Sequence, residues 1–357
     1  MTKLAPTVGI VGLGFGRAHI PAFQQEGCRV VAVCQRDQAS AKATADRYGV
    51  PQIFGRWEDM LETARPEIVV IATPPRLHRE IALAAFARGA HVLCEKPVAM
   101  TRAEAKDMVD AAGRAGRVAM TGFNWRFAPA MQRFNAMVRD GAVGRVFHLA
   151  GHWLGARWAD EGVAPTWRMD RTQAGHGVMG DMGVHLIDLV RWNFGEIRRV
   201  SAHAGIAYPS RTVPGGTKPA DAEDFCTVIG ELASGAQVTL TASRVARGMN
   251  EHTLEAFGAC GALAFRQGRE GAGWWVGELR AGTNSLQLVE VGAVQAIDGD
   301  QMEIIGRATI APLVARLLEG IRAGATPTPS LEDGLRAQAV LDAVLASASR
   351  DCWVEVS

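Results

Sequence analysis

Within the first 122 residues, five apolar, β-branched runs alternate with helical patterns, and no other feature constrains the fold as tightly. The runs are VGIVGL (8–13), RVVAVC (29–34), EIVVIAT (67–73), AHVLCEK (90–96) and RVAMTG (117–122). Continuous apolar stretches of this length suit strands buried on both faces. Between them lie SAKATADRYG (40–49), LHREIALAAFARG (77–89) and TRAEAKDMVDAAGRAG (101–116). The last opens with Thr101, carries Glu104 at capping-box spacing and closes near Gly116. Alternation of this kind predicts a parallel, doubly wound sheet of the Rossmann type.

Beyond residue 122 the texture changes. The pattern predicts a helix over 127–139, a strand over 144–153, a long loop rich in Gly, Trp and Arg over 154–180, and a helix over about 181–193. Strand-like stretches follow near 197–206, 223–232, 236–245, 252–258, 262–267, 273–280 and 285–291, several separated by short glycine turns such as ASGAQ and GACGA. That spacing fits antiparallel meanders. The Pro/Gly-rich segment 207–220 reads as an exposed, mobile loop. Two helical patterns, about 309–323 and 331–349, and a short strand near 352–356 end the chain. The expected layout is a dinucleotide-binding domain over 1–122 and an α+β domain with a large, mainly antiparallel open sheet over 123–357. Helices within 309–349 are expected to pack back toward the first domain.

Composition narrows the partners. With 38 basic and 37 acidic residues the net charge is close to zero, and no basic stripe suggests nucleic acid or an anionic membrane. Small molecules and copies of the same chain are the expected partners. The start, MTKLAPTVGIVGLG, goes straight into a strand and has no secretory pattern, and no stretch offers 18 uninterrupted apolar residues. The six cysteines (28, 34, 94, 226, 260, 352) are scattered singly. Reduced thiols in a cytoplasm are expected, rather than a disulfide frame or a structural zinc.

The first strand runs into VGIVGLGFGRAH, with Gly12, Gly14 and Gly16 placed before a helix. Gly12 permits a tight turn, Gly14 lets a pyrophosphate approach the backbone, and the helix start offers amide donors. Phe15 and Arg17 complete the turn, Arg17 standing where the G-x-G-x-x-G pattern has its third glycine. The bland reading is a tight turn with no ligand, but strand, turn, helix and second strand in order favour NAD or NADP. The second strand ends in Cys34-Gln35-Arg36-Asp37. Gln35 occupies the place of the acid that would read the ribose of NAD, and Asp37 comes two residues late. Arg36 can pair with the extra phosphate of NADP, which tips the cofactor toward NADP.

CEKPVAM (94–100) follows the fifth strand, at the carboxyl edge where such sheets bind ligands. Taken together and in order, the glycine turn, ATPPRLH (72–78), CEKP and AGHGVMGDMGVHLIDL (174–189) make the chain resemble the Gfo/Idh/MocA oxidoreductases, which include glucose–fructose oxidoreductase and inositol dehydrogenases. The resemblance extends to PSLEDGLRAQAVLDAVLASAS (329–349). It implies a catalytic set of Lys96, Asp181 and His185. It places Thr73, Pro74, His78 and Glu95 along the cofactor, and Asn124, Arg126, Trp167 and Arg168 along the nicotinamide or substrate pocket. His176 interrupts what is commonly a run of glycines and would add a polar group to that pocket.

The chemistry of these residue types agrees. Asp181 and His185, four apart on one helix, share a face, and a carboxylate at a helix N-terminus stays ionised. Asp181 would then orient His185 or stabilise its protonated form. An imidazole titrates near neutrality and suits proton exchange with an alcohol. The inferred reaction is dehydrogenation of a sugar, inositol or related polyol. His185 takes the hydroxyl proton and Lys96 polarises the oxygen, or the two exchange roles, and hydride passes to the nicotinamide. Asp188, one turn further along, reads as structural. His148 and His152 share a strand face that borders either the cleft or the packing side. No H-E-x-x-H or comparable cluster supports a metal. A homodimer or homotetramer through the open sheet is implied by the resemblance. Two rivals share the fold: a lyase or hydrolase that oxidises a sugar transiently on retained NAD, and a nucleotide-sensing regulatory protein.

Overall fold

The computed structural model describes residues 5–271, 273–292 and 294–357; the first four residues of the chain start lie outside them. The chain divides into two compact units, Met1–Phe127 with Ile297–Leu335, and Ala128–Ala296 with Arg336–Ser357.

Among the described residues of the first unit, six parallel strands form one sheet: β1 (Thr7–Val11), β2 (Arg29–Cys34), β3 (Gln52–Phe54), β4 (Ile68–Ile71), β5 (His91–Cys94) and β6 (Ala119–Thr121). Their order is β3-β2-β1-β4-β5-β6. The helices α1 (His19–Gln25), α2 (Gln38–Tyr48), α3 (Trp57–Thr63), α4 (His78–Ala87) and α5 (Arg102–Ala115) link them. The apolar runs are strands because both faces are covered: Val8, Ile10, Ile68, Val70, Val92 and Leu93 have no exposed surface. The connection direction reverses between β1 and β4, so a crevice opens beyond their carboxyl ends. Thr101 caps α5 by accepting from the Glu104 amide. The Glu104 carboxylate reaches back one residue further than a capping box requires and accepts from the Met100 amide.

In the second unit come α6 (Pro129–Arg139), α7 (Arg171–Ala174) and α8 (Val184–Phe194), with the strands β7 (Val146–Leu154), β8 (Ile197–Gly205), β9 (Ser210–Val213), β10 (Gly216–Pro219), β11 (Phe225–Leu232), β12 (Gln237–Ser243), β13 (Glu251–Gly258), β14 (Ala262–Gly268), β15 (Glu278–Gly282), β16 (Gln287–Leu288) and β17 (Val354–Glu355). Nine of the described strands form a sheet in the order β16-β15-β14-β13-β7-β12-β11-β8-β17. Its pairs are antiparallel apart from β7 with β12. The register sorts the residues into two faces. Val228, Leu240, Gly151 and Leu254 align across the sheet on the side where α6 and α8 pack. Thr227, Thr241, His152 and Thr253 align on the other side. The segment expected to be a mobile loop is instead a hairpin of β9 and β10. Its turn uses Gly215 at φ 84°, which offsets the strand-breaking effect of the flanking prolines.

The C-terminal segment adds α9 (Gln301–Ile305), a π-turn over Gly306–Ile310, α10 (Ala311–Ala323) and α11 (Leu331–Arg350). Asp300 caps α9 with a full capping box to Glu303, so this helical stretch starts well before the position expected from the apolar pattern. No described helix is long and apolar enough to cross a membrane.

Candidate active site

In the first unit the glycine turn lies at the carboxyl end of β1. Gly12 has φ 89°, and a Cβ there would stand 2.5 Å from the Ala72 carbonyl oxygen; the turn can close against β4 only with glycine. Gly14 faces open space, with nothing within 4 Å of a Cβ built on it. Gly16 is buried and starts a short 3₁₀ turn that runs into α1. Phe15 is half-buried, edge-on to the His19 ring at 6.1 Å, and Arg17 is exposed. Gln35 braces the turn: its Oε1 accepts from the Leu13 amide (3.2 Å). Asp37 accepts from the Ala39 and Ser40 amides as the N-cap of α2, which explains an acid at that place without a ribose. Arg36 is exposed.

At the end of β4, the Thr73 hydroxyl is buried and has no hydrogen-bond partner among the described residues. An open glycine approach beside an orphaned buried hydroxyl fits a bound dinucleotide. Pro74 follows, half-buried. His78 differs from the expectation that it lies along the cofactor. It is fully buried, with Nε2 against the Thr73 carbonyl (2.8 Å) and Nδ1 against that of Pro97 (3.1 Å). Burial pushes its pKa down, so the neutral ring donates to one carbonyl at a time and ties the two turns together.

The second of those turns carries Glu95, Lys96 and Pro97, with a cis bond before the proline. Glu95 is buried; its Oε1 accepts from His19 Nε2 (2.8 Å) and its Oε2 from the Lys96 amide (3.3 Å). Gly122 leaves room for this carboxylate, since a Cβ there would stand 2.7 Å from Oε1. The Lys96 side chain is half-buried. Asn124 and Arg126, expected along the pocket, are instead buried in the unit's interior. Asn124 Nδ2 donates to Thr309 (2.7 Å), and Arg126 reaches Thr328 (2.7 Å) and Asp333 (3.1 Å). The sequence offers no hint of these partners, which lie some two hundred residues away.

In the second unit, Asp181 lies within a π-turn, Met179–Gly183, that leads into α8. This corrects the reading of Asp181 at an α-helix N-terminus: its charge is balanced by arginines. Oδ1 is 3.4 Å from Arg168 Nε, and Oδ2 is ion-paired with Arg244. Arg168 also covers the Trp167 ring (4.3 Å). His185 is buried and its ring lies 5.3 Å from that of Trp153. Single-turn π segments recur at functional sites because they re-aim a side chain without ending the helix.

The turn before Asp181 is held by Glu223, which sequence reasoning missed. Its buried Oε1 accepts from the amides of Gly177 (2.7 Å) and Met179 (3.2 Å), and Arg171 lies 3.6 Å away. The chain passes so close to the Glu223 backbone that position 177 has no room for a Cβ. Glu223→Ala is expected to cost about 1–3 kcal/mol by orphaning two buried amides, measured by denaturant unfolding, while Glu223→Gln keeps an acceptor and loses less. His176, expected to add a polar group to the pocket, is engaged with α11 instead. It is buried and accepts from Gln338 Nε2 (3.2 Å) on α11, an amide that also donates to Asp342 (2.9 Å). His148 is exposed and stacked on Phe257 (4.7 Å), and His152 pairs with Glu251 (3.3 Å), both on the sheet face away from Trp153. Among the described residues no group of three or more His, Cys, Asp or Glu could hold a metal ion.

Known proteins identify the family. Residues 7–123 match the family model of the oxidoreductase family with an NAD-binding Rossmann fold, and residues 131–264 match that of the GFO/IDH/MocA C-terminal domain. The chain is similar to levoglucosan dehydrogenase of Pseudarthrobacter phenanthrenivorans, at 30% identity over 98% of this chain and 97% of that one. It is also 30% identical to D-apiose dehydrogenase of Paraburkholderia graminis, over 71% of this chain and 66% of that one. Among solved structures, levoglucosan dehydrogenase in complex with NADH and L-sorbose matches with a TM-score of 0.90 at 28% identity, covering 99% of this chain and 100% of that one. The fold, a six-stranded parallel sheet followed by a domain with an open, mostly antiparallel sheet, thus matches along nearly the whole length, and the chain is a member of the Gfo/Idh/MocA family of NAD-binding oxidoreductases.

Proposed function

We propose that this enzyme is a dehydrogenase or reductase of a sugar, inositol or related polyol, working at a CH–OH group with NAD or NADP. The observation that carries the reading is the placement of Lys96. Its ammonium-bearing side chain leaves the carboxyl edge of β5 from a turn locked by the buried His19–Glu95 pair, one strand away from the orphaned Thr73 hydroxyl. The backbone of Gly12, Gly14, Phe15, Gly16 and Arg17, with Gln35, Arg36, Thr73, Pro74 and Glu95, would hold the cofactor, whose nicotinamide supplies the hydride acceptor when bound. Lys96 donates a hydrogen bond to the reacting oxygen and stabilises negative charge on it. His185 takes the hydroxyl proton, and Trp153 fixes the plane of its ring. Asp181 holds Arg168 and Arg244 in place and offers a carboxylate to the protonated imidazole. Trp167 and Arg168 line the sugar.

A panel of sugars, inositols and keto-sugars, followed at the reduced-nicotinamide absorbance with each cofactor, tests this reading; no turnover of any polyol with either cofactor would sink it. Because the nearby acid Asp37 is engaged as a helix cap, we infer a preference for NADP through Arg36. Arg36→Ala is then expected to raise the KM for NADP by about tenfold, the worth of one charge-assisted hydrogen bond, and to leave that for NAD nearly unchanged. A preference for NAD that survives the substitution would remove this part. The sheet face bearing Thr227, Thr241 and His152 also exposes Phe225 and Ile229. We infer that a second copy of the chain covers it, giving a dimer or tetramer; a single monomer mass by light scattering at micromolar concentration would count against that.

A further inference from the structure

Residues 158–160 have three consecutive carbonyl groups taken by side chains from distant positions of the second unit. Arg211, in β9, donates from Nη2 to the Trp158 carbonyl (3.0 Å) and from Nη1 to that of Asp160. The Ala159 carbonyl between them accepts from the Tyr208 hydroxyl (3.1 Å) and from Arg247 Nη2 (2.8 Å). Arg211 has no exposed surface, and its guanidinium lies 4.7 Å from the Tyr208 ring. The buried Asp224 carboxylate, which accepts from the Ala207 amide (2.8 Å), is an acid whose charge bears on it. Burying a cation is costly even when it is well bonded. A fully buried arginine whose fork ends on two loop carbonyls gives that loop one defined position.

What the clamp fixes is Trp158. Its indole is buried in a cluster with Met169 and Ala220. Its amide donates to the Arg244 carbonyl (2.9 Å), and the Arg244 guanidinium lies over its ring (5.2 Å). Arg244 in turn is ion-paired with Asp181. Met169 adjoins Arg168, the other arginine on Asp181, and its carbonyl accepts from the Asp221 and Ala222 amides (3.0 and 3.3 Å). Both arginines on Asp181 therefore extend from the surroundings of one buried indole.

We propose that Arg211 is a positioning residue for the reaction: by clamping residues 158–160 it seats Trp158, and through Trp158 it keeps Arg244 on Asp181. The proposal rests on the dehydrogenase reading and adds to it a residue that acts only through others. Arg211→Met keeps an unbranched stem and removes the donors. It should lower kcat by about tenfold or more, the worth of a hydrogen bond from a charged group, while the cofactor Kd stays within about twofold. Tryptic cleavage after the exposed Arg157 reports the segment itself without need of turnover, and should speed up at least about fivefold as the clamp opens.

Arg211→Lys, which can reach one carbonyl but not both, should recover part of both effects. Arg244→Lys keeps a cation for Asp181 but lacks the planar face that rests on Trp158. On that background Arg211→Met should cost less than about twofold further in kcat, because the route to Asp181 is already cut. If Arg211→Met does not fold, Tyr208→Phe with Arg247→Gln takes its place: the pair loosens the same segment from the Ala159 carbonyl, and a loss of about threefold in kcat is expected. Unchanged kcat in whichever of these folds, even with faster cleavage after Arg157, would overturn the proposal, as would an equal loss with and without Arg244→Lys. A parent enzyme that turns over no polyol would remove the dehydrogenase reading and the role of Arg211 with it; an active parent with insensitive variants removes that role alone.

Discussion

Lys96→Ala and His185→Asn should each lower kcat by about two to four orders of magnitude, the range supplied by a positioned proton-transfer group. Lys96 is half-buried and leaves a turn whose geometry is fixed elsewhere, by His19 on Glu95 and by His78 on the Pro97 carbonyl. Removing its side chain therefore leaves that turn intact, so cofactor affinity and thermal stability should change little while turnover collapses. His185 is buried beside Trp153, and asparagine keeps a polar group there while removing the imidazole that exchanges the proton. The check is steady-state kinetics together with the unfolding midpoint of each variant. Turnover within a few-fold of the parent in both folded variants would remove Lys96 and His185 from the chemistry.

The glycine turn yields the second large effect, and its two glycines should behave differently. Gly14→Ala should fold as the parent does, because nothing lies within 4 Å of the added Cβ. Its effect should appear only against a bound pyrophosphate, as a rise of at least tenfold in the cofactor Kd. Gly12→Val should lose both. Its φ of 89° is hostile to a β-branched residue, and the new Cβ would stand 2.5 Å from the Ala72 carbonyl oxygen. The left-handed conformation alone costs about 1–3 kcal/mol, and relief of the clash would push β1 and β4 apart. Fluorescence titration with reduced cofactor and thermal unfolding separate the two outcomes. Gly14→Ala binding cofactor with unchanged affinity would mean that the dinucleotide does not approach this turn.

The parallel sheet was legible because burial on both faces forces continuous apolar runs, and five of the six strands show one. The strand Gln52–Phe54 does not: its three residues are only half-buried, at the sheet's edge, so packing left no pattern to read. The hairpin over 210–219 was obscured by prolines and glycines, which mark loops and hairpin turns alike. The pairing of Asp181 with His185 stood out by spacing, but a π-turn has the same local composition as an α-helix. The support behind these residues is long-range. Glu223 looks like any strand-end acid until the chain folds it onto the amides of Gly177 and Met179. Arg244, in SRVARG, reads as a solvated charge until it meets Asp181 and Trp158. Asn124 and Arg126 were misleading for the opposite reason: their place beside the motifs suggested a pocket, whereas their partners Thr309, Thr328 and Asp333 bury them.

The central claim is that a sugar hydroxyl is oxidised at the expense of a freely exchanging nicotinamide cofactor. Counting product measures it most directly: the preferred sugar is incubated with excess NAD and, separately, NADP, and reduced cofactor is compared with carbonyl product. One reduced nicotinamide per oxidised sugar is expected with at least one cofactor. Sugar consumed with no net reduced cofactor would identify transient oxidation on a retained cofactor, and tight cofactor binding with no sugar consumed would identify a sensor; either result would contradict the dehydrogenase reading.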